Sequence, residues 1–254
     1  MRIYGINPVL EALRAKRVTA IRVSPRDDDR LTMIARLAGQ QGVPVRRAKA
    51  DELDRFAAGG VHQGVVADVH DHVSLSLEDL VKHAGGAPLI VVLDGIEDPH
   101  NVGAILRTVD AAGADGVVRQ SRHAAPLGGA AAKASAGAVS HVKIAEVVNI
   151  ARALGQLKDA GVWTVGLAAG APKAYDQVDF TLPTAIVVGA EGTGLRRLVK
   201  ERCDWLVSIP MRGHVASLNV SVAAGVTLFE AVRQRRERTG TGIPPSRAGE
   251  LPSP

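Results

Sequence analysis

Two runs of nearly continuous apolar residues limit the folds open to this chain. Leu89–Leu93 reads LIVVL, and Thr184–Val188 reads TAIVV. Both runs are short, and neither shows the polar–apolar alternation of a strand that has one face in water. Such strands are typical of parallel sheets that are covered by helices on both faces. The two runs therefore predict an α/β fold built on a buried parallel sheet.

The rest of the chain divides into segments of different character. Residues 1–70 alternate short strands with amphipathic helices, which predicts a small α/β domain. Residues 71–88 have a weak core pattern and end in Gly-Gly-Ala-Pro, so they are predicted to be a linker. Residues 89–238 continue the alternation around the two buried strands. Residues 239–254, with four prolines and three glycines, are predicted to be disordered.

Basic residues are concentrated in the N-terminal segment. Residues 1–70 contain 12 Lys and Arg against 8 Asp and Glu, a net charge of +4. Residues 71–238 contain 18 against 17, a net charge of +1. A basic domain attached to a nearly neutral one is typical of proteins that bind a polyanion such as RNA or DNA. The alternative is a solvated, arginine-rich surface that has no partner.

Composition excludes several other classes. The chain contains no run of about 18 apolar residues, so no membrane span is predicted. A single cysteine, Cys203, rules out an internal disulfide and favours a reducing cytoplasm. The eight histidines are scattered along the sequence, and no clustered Cys/His pattern occurs, so no metal site is predicted.

Polar residues follow three of the predicted strands at the point where each strand ends. The three loops are Asp94–Asn101, Gly189–Gly194 and Ile209–Asn219. Open α/β sheets bind ligands at the carboxyl ends of their strands, so we expect these loops to form a binding site. The middle loop, GAEGTG, lacks the glycine spacing of a dinucleotide fingerprint and the Lys-Ser/Thr of a phosphate-binding loop. Its Glu191 disfavours a phosphate and favours a neutral or cationic ligand.

The same three loops strongly resemble the signature motifs of the SpoU (TrmH-like) family of RNA ribose 2′-O-methyltransferases. The motifs are LDGIEDPHNVGAILRTVDAAG (Leu93–Gly113), IVVGAEGTGL (Ile186–Leu195) and IPMRGHVASLNVSVAAGVTLFEA (Ile209–Ala231). The N-terminal stretches IYGINPVLEALRA and HQGVVA are similar to an L30e-like RNA substrate-binding domain. That domain is found in the subgroup that methylates a guanosine in the P loop of bacterial 23S rRNA. The resemblance covers residues 2–238.

Membership of this family would imply a specific fold and activity. The implied fold is a SPOUT-type parallel sheet with a C-terminal trefoil knot, preceded by the small L30e-like domain. The implied protein is a cytoplasmic, homodimeric enzyme that uses S-adenosylmethionine to methylate a ribose of RNA. The motif positions that would carry catalysis are Asn101, Arg107, Glu191, Ser217 and Asn219. Those that would bind the cofactor are Leu167, Gly189, Gly194, Ile209, Leu218 and Asn219. Candidate RNA contacts are Arg14, Arg17, Arg119, Arg122 and Lys133.

Several of these assignments have structural alternatives. An arginine scarcely deprotonates in a protein, so Arg107 is expected to stabilise a developing alkoxide electrostatically; the alternative is an ion pair with Asp110. Glu191 and Ser217 could instead cap helices. For the whole chain, one alternative is a ribose methyltransferase acting on tRNA or on rRNA in antibiotic resistance. Another is a non-catalytic RNA-binding or ribosome-assembly protein.

Overall fold

The computed structural model describes residues 1–240. Residues 241–254, which make up most of the predicted disordered tail, lie outside the described residues. Thr239, the first residue of that predicted tail, instead belongs to the last helix. None of the helices within residues 1–240 has the length and apolar character needed to cross a membrane.

A four-stranded sheet occupies the N-terminal segment. Its strands are β1 (Arg2–Tyr4), β2 (Val18–Val23), β3 (Val45–Arg47) and β4 (Val65–Val69). Their spatial order is β1-β4-β2-β3, with β4 antiparallel to both neighbours and β3 parallel to β2. The connecting helices are α1 (Ile6–Arg14), α2 (Asp29–Gln40) and α3 (Ala50–Phe56). The side chain of Asp28 caps α2 by accepting from two backbone N–H groups, which satisfies donors that a helix start leaves unpaired.

The predicted linker is packed against the second sheet. It forms one helix, α4 (Leu77–Lys82), whose Leu80 is fully buried. The backbone N–H of Leu75 donates to the carbonyl of Ile144 at 2.9 Å. This segment therefore contributes an apolar side chain to the core of the C-terminal part.

A seven-stranded sheet forms the centre of the C-terminal part. Its strands are β5 (Leu89–Asp94), β6 (Gly116–Gln120), β7 (Ile144–Val147), β8 (Trp163–Leu167), β9 (Lys173–Ala174), β10 (Thr184–Gly189) and β11 (Trp205–Ser208). The spatial order is β7-β6-β5-β10-β8-β11-β9, and every neighbouring pair is parallel. All residues of β5 and β10, the two apolar runs, are buried. The predicted α/β fold with a buried parallel sheet is confirmed.

Helices cover both faces of this sheet. They are α5 (Pro99–Ala112), α6 (Gly129–Ala134), α7 (Ile150–Asp159), α8 (Arg197–Arg202) and α9 (Val220–Thr239). One core layer contains Ile105, Leu106 and Leu228, and the other contains Leu154 and Leu157. The start of helix α5 is stabilised because the side chain of Asp98 caps it and Pro99 occupies its first turn.

The N-terminal and C-terminal parts share one apolar core and several polar contacts. Side chains of α1 and β1 belong to the same buried cluster as side chains of β5 and α5. Arg17 donates to the carbonyl of Val139 at 3.3 Å, and Lys133 donates to the carbonyl of Val61 at 2.8 Å. His141 lies 2.9 Å from a carboxylate oxygen of Glu11. The two sheets are thus joined by packing as well as by the chain.

Candidate active site

The three polar loops meet at one edge of the seven-stranded sheet. Strands β5 and β10 are neighbours, and β11 is separated from β10 only by β8. Because neighbouring strands are parallel, their carboxyl ends lie along the same edge of the sheet. The sheet order therefore brings the loops after β5, β10 and β11 together, as the sequence predicts.

Two amides and one carboxylate link these loops directly. Asn101 donates from Nδ2 to Oε2 of Glu191 at 3.2 Å. Asn219 donates from Nδ2 to Oδ1 of Asn101 at 3.0 Å. Each bond joins a different pair of loops, so the Glu191–Asn101–Asn219 chain contains one residue from each of the three motifs. Asn101 is buried, whereas Glu191 and Asn219 are exposed to solvent.

Asn219 also caps α9. Its Oδ1 accepts from the backbone N–H of Ser221 at 2.9 Å and from the Ser221 hydroxyl at 2.6 Å. The alternative assignment of the cap to Ser217 is therefore wrong: the helix begins at Val220, and Ser217 lies three residues too early. Glu191 does not cap α8 either, since that helix begins at Arg197 after Arg196, and its carboxylate faces Asn101.

A buried carboxylate at the end of β5 anchors the loop after β10. Asp94 is 1 % exposed and accepts from the backbone N–H of Arg196 at 2.8 Å and from Arg196 Nε at 2.7 Å. This charge-assisted, two-point contact holds the Gly189–Gly194 loop against the first motif. Asp94 is not among the residues that the sequence indicates for the site, although its position as the acidic last residue of an apolar strand marks it.

A cavity of about 560 Å³ opens beside the hydrogen-bonded chain. It is enclosed by the ends of β8, β10 and β11 and by the loop that precedes α9. Every residue predicted to bind the cofactor lines it: Leu167, Gly189, Gly194, Ile209, Leu218 and Asn219. Glu191 and Ser217 line it as well. Ser208, Pro210 and Met211, which are not among the predicted cofactor contacts, complete much of the wall.

Gly189 allows the wall of this cavity to close. A Cβ atom on Gly189 would lie 2.2–2.4 Å from backbone atoms of Gly194 and Leu195. No side chain fits in that space, because Cβ atoms in proteins essentially never approach backbone atoms so closely. The loop after β10 therefore folds back tightly on its own strand, and this requires glycine at the strand end.

Arg107 lies on α5 outside the cavity wall. Its side chain is exposed, and the described residues contain no ion pair between Arg107 and Asp110. The structure therefore does not support the alternative that Arg107 serves only in a surface ion pair with Asp110. Arg107 stands two helical turns after His100, on the helix that also carries Asn101.

The five candidate RNA contacts have different environments. Arg122 is exposed in the loop after β6. Arg14 is half exposed and bonds to Glu11 at 2.6 Å. Lys133 and Arg17 donate hydrogen bonds to backbone carbonyl groups across the junction between the two sheets. Burial lowers the pKa of Arg17, although the nearby charge of Asp71 acts in the opposite direction.

Arg119 requires a correction. It is a candidate RNA contact in the sequence, but it lies within β6, which continues through Gln120, and it pairs in register with Glu146 of β7. The side chain is 8 % exposed, with Nε 3.5 Å from Glu146. The pKa of Arg119 is lowered because burial outweighs the opposing attraction of Glu146. A guanidinium enclosed in this way does not reach an RNA phosphate from this position.

Other reactive groups lie away from the cavity. Within residues 1–240 there is no cluster of three or more His, Cys, Asp or Glu side chains that could hold a metal ion. Burial raises the pKa of Cys203 to about 12. That thiol stays protonated near neutral pH, so it is a poor nucleophile.

Sequence comparison identifies relatives along almost the whole chain. Residues 88–229 match the SpoU rRNA Methylase family, and residues 2–72 match the family described as RNA 2′-O ribose methyltransferase substrate binding. The 23S rRNA (guanosine-2′-O-)-methyltransferase RlmB of Pseudomonas putida is 46 % identical over 92 % of this chain and 97 % of its own length. The enzyme of the same name from Photobacterium profundum is 44 % identical over 92 % and 98 %.

Solved structures give the same result for the fold. The SpoU methyltransferase AviRb of Streptomyces viridochromogenes, in complex with the cofactor AdoMet, superposes with a TM-score of 0.80 at 25 % identity. The match covers 93 % of this chain and 91 % of AviRb. An AdoMet-bound rRNA methyltransferase from Sinorhizobium meliloti has a TM-score of 0.76, again at 25 % identity, over 91 % and 86 %. With its three motifs joined at one sheet edge, the chain belongs to the SpoU rRNA methylase family.

Proposed function

We propose that this protein is an S-adenosylmethionine-dependent methyltransferase that modifies a ribose 2′-hydroxyl of RNA, with a guanosine in the P loop of 23S rRNA as its substrate. The observation that carries the proposal is the Glu191–Asn101–Asn219 hydrogen-bond chain beside the cavity of about 560 Å³. The named activity of the relatives in Pseudomonas and Photobacterium supports the choice of 23S rRNA over tRNA.

The residues around the cavity fit this methyl donor. Its volume lies within the roughly 300–1,000 Å³ of ordinary small-molecule sites. Small residues form the wall at Gly189, Gly194 and Ala168, so an adenine or an amino acid can approach the backbone closely there. Glu191 supplies a carboxylate at the rim, which complements a positively charged sulfonium.

S-adenosylmethionine, when bound, supplies an activated methyl group. The chain must therefore hold a ribose hydroxyl in line with that methyl group and ease the loss of its proton. Alignment of two reactants can contribute several kcal/mol. In this proposal the Asn101–Asn219 pair fixes the loops that position both reactants, and Ser217 contributes a hydroxyl at the cavity wall.

Arg107 has an electrostatic role in this proposal. As an exposed guanidinium without an ion pair to Asp110, it is available to an incoming RNA. A permanent positive charge near the ribose stabilises the alkoxide as the proton leaves, and the same group can orient a neighbouring phosphate. An arginine that stays protonated performs this role without acting as a base.

The finer architecture is part of the proposal. It comprises an L30e-like RNA substrate-binding domain at residues 1–70, a linker at 71–88, and a catalytic domain with a trefoil knot at 89–238. A homodimer is supported by apolar side chains that remain exposed on and near α9: Val215, Val222 and Phe229 are 63 %, 49 % and 51 % exposed. A cytoplasmic location follows from ribosomal RNA as the substrate.

Two experiments test the proposal. Isothermal titration of the purified protein with S-adenosylmethionine should give saturable binding, and a flat titration would contradict the enzyme assignment in favour of a non-catalytic RNA-binding protein. Ribose methylation should then be mapped on 23S rRNA and tRNA from cells with and without the gene. Loss of one 23S site is the expected result, whereas loss of a tRNA site would move the substrate to tRNA.

A further inference from the structure

One face of the four-stranded sheet is covered over only part of its area. Helix α3 packs Leu53 and Phe56 against Val66 and Tyr4 on this face. Beyond that cluster the same face carries charged residues that remain accessible to solvent. The side chains of Arg2 and Asp68 are 42 % and 30 % exposed.

The strand register places three arginines together on this open part of the face. Arg2 of β1 lies opposite Asp68 of β4, and Arg22 of β2 lies opposite Arg46 of β3. Residues that are paired in register project to the same side of a sheet. Both Arg2 and Arg22 contact Asp68, so all three arginines belong to the same side. We call Arg2, Arg22 and Arg46 the arginine row.

Two guanidinium groups of the arginine row are held in fixed positions. Asp68 accepts from Arg2 Nε at 2.9 Å and from Arg22 Nη1 at 2.6 Å. The guanidinium carbons lie 4.5 Å and 4.1 Å from the centre of the Phe56 ring. Each hydrogen bond uses one of the five N–H donors of a guanidinium, which leaves the others for a ligand. A planar donor fixed by a ring and a carboxylate matches the geometry of a phosphate.

The charge of this surface is positive although two carboxylates are present. Asp68 offsets one arginine, and Glu52 lies 4.0 Å from Arg46, whose side chain is 76 % exposed. One positive charge remains in excess, and Arg46 is free to move away from Glu52 toward a stronger anion. Because the arginines are not fully neutralised by the carboxylates, this surface can attract a polyanion.

A groove lies between Arg2 of the arginine row and the first residue of α5. Arg2 lines a groove of about 490 Å³ whose other wall includes Pro99, Gly128 and Gly129. Asp71 also lines it, but its carboxylate is paired with the amino group of Met1 at 2.7 Å. Pro99 begins α5, the helix that carries Asn101 and Arg107. One end of the arginine row and the start of the helix that carries the first motif therefore border the same groove.

We propose that the arginine row binds phosphate groups of one RNA strand and that the groove leads this strand to the start of α5. This inference rests on the proposed function, since it takes RNA as the substrate. It identifies which face of the N-terminal segment holds the RNA and how the strand reaches the reacting ribose.

Salt-dependent RNA binding tests the arginine row. The probe is a fluorescein-labelled transcript of the 23S rRNA P-loop hairpin, and binding to the full chain is followed by anisotropy at several salt concentrations. Arg22→Gln and Arg46→Gln should each weaken binding. Each should also lower the slope of log K against log salt by roughly 0.7–0.9, the value of one lost phosphate contact.

Arg36→Gln is the matched control. It removes one positive charge from the same segment, but α2 packs on the opposite side of the sheet, against Ile21 and Val65. This control should retain the wild-type slope. Arg46→Gln is not expected to impair folding, because the side chain of Arg46 is exposed and its ion pair with Glu52 is 4.0 Å long. A change in its slope can therefore be attributed to RNA binding.

The outcomes separate this inference from the proposed function. The proposal for the arginine row would be overturned if both Arg22→Gln and Arg46→Gln kept the wild-type slope. It would also be overturned if the wild-type protein did not bind the transcript. A loss of slope that Arg36→Gln reproduces would also overturn it, because the effect would then follow net charge alone. Failure of the wild-type protein to bind S-adenosylmethionine would defeat the methyltransferase proposal and leave the RNA-binding result standing.

Discussion

Asn219 donates a hydrogen bond to Asn101 at 3.0 Å across 118 positions of the chain. The neighbours of this pair fix which way each amide points. Asn101 must direct its NH₂ group at Glu191, and Asn219 must direct its oxygen at Ser221. The remaining oxygen of Asn101 and the remaining NH₂ group of Asn219 then face each other. The three motifs are thus locked by complementary amide orientations.

Substituting Asn101 by aspartate should break this lock. Asn101→Asp replaces the donor beside Glu191 by a carboxylate at a buried position, and we expect the free energy of unfolding to fall by about 1–3 kcal/mol at pH 8. Repulsion raises the pKa of the carboxyl pair above its value in the unfolded chain, so the loss should shrink as the pH falls toward 5. Urea denaturation at both pH values measures this.

The control for this substitution is a second change that restores a donor. Asn101→Asp combined with Glu191→Gln places an amide opposite the new carboxylate and should recover much of the stability at pH 8. Equal stability of Asn101→Asp and the wild type at pH 8 would contradict the importance of the pair.

Arg107 should matter for turnover and not for stability. Because the side chain is exposed and makes no ion pair with Asp110, Arg107→Ala should leave the unfolding transition unchanged. Removing one group that stabilises developing charge typically lowers kcat by about 10²–10³-fold, while titration should give unchanged affinity for S-adenosylmethionine. Asp110→Ala is the control on the same helix and should retain turnover; an Arg107→Ala protein with full turnover would refute the assigned role.

Gly189 should tolerate no side chain. Gly189→Ala forces a Cβ into the backbone of Gly194, and overpacking of this kind costs about 1–3 kcal/mol or more. We expect a lower melting temperature and loss of S-adenosylmethionine binding by calorimetry. Gly213→Ala is the comparison, since a Cβ there meets no atom within 4 Å. Normal ligand binding by Gly189→Ala would show that the loop can open.

Arg235 should be a major stabilising residue of α9. Its guanidinium donates to the carbonyls of Phe180, Ala87, Pro88 and Leu182 at 2.6–3.0 Å. Arg235→Met removes all four bonds. The carbonyls of Pro88 and Leu182 keep their bonds to Thr184, whereas the part-buried carbonyl of Phe180 loses this donor, so we expect a loss of about 1–3 kcal/mol in guanidinium denaturation. Exposed Arg236 is one position away, and Arg236→Met should change stability by less than about 0.5 kcal/mol.

Cys203 should make stability fall at high pH. Burial raises the pKa of its thiol to about 12 in the folded protein, from 9.0. The unfolded chain therefore loses this proton first, and the associated stability is full below pH 9 and is lost as the pH rises toward 12. Cys203→Ser should lack this component of the pH dependence. Rapid alkylation of the native thiol by iodoacetamide at pH 8 would contradict its protected state.

Hydrophobic patterning predicted the elements that rely on it. The buried strands β5 and β10 and the helices with one apolar stripe follow from the spacing of apolar residues. Because parallel strands end along one edge, the meeting of the three polar loops could also be expected. Strand β1 could not be predicted in this way, because the three residues Arg2–Tyr4 are too few to establish a period.

The remaining differences depend on contacts between distant residues. Arg119 was predicted to contact RNA because it is a charged residue that follows an apolar run. Its partner Glu146 lies on another strand, so the local sequence does not reveal that contact. Asn219 was not expected to cap α9 because the loop before it has no periodic pattern that marks the first turn. The attachment of Arg17 to the Val139 carbonyl depends on how two surfaces meet, which local sequence does not encode.

The ladder between β5 and β10 has a consequence for how the chain folds. Leu89 pairs with Thr184 and Asp94 with Gly189, so the centre of the sheet cannot form until almost the whole C-terminal part has been synthesised. Closing such a long loop is entropically expensive, and parallel sheets with distant partners fold slowly. The N-terminal sheet needs only residues 2–69 and can form on the ribosome first. The apolar strand Leu89–Asp94 can pair with β6 on one side as soon as residue 120 is made, but its other edge stays unpaired until β10 follows. Nascent chains arrested before residue 184 are therefore the species most exposed to aggregation.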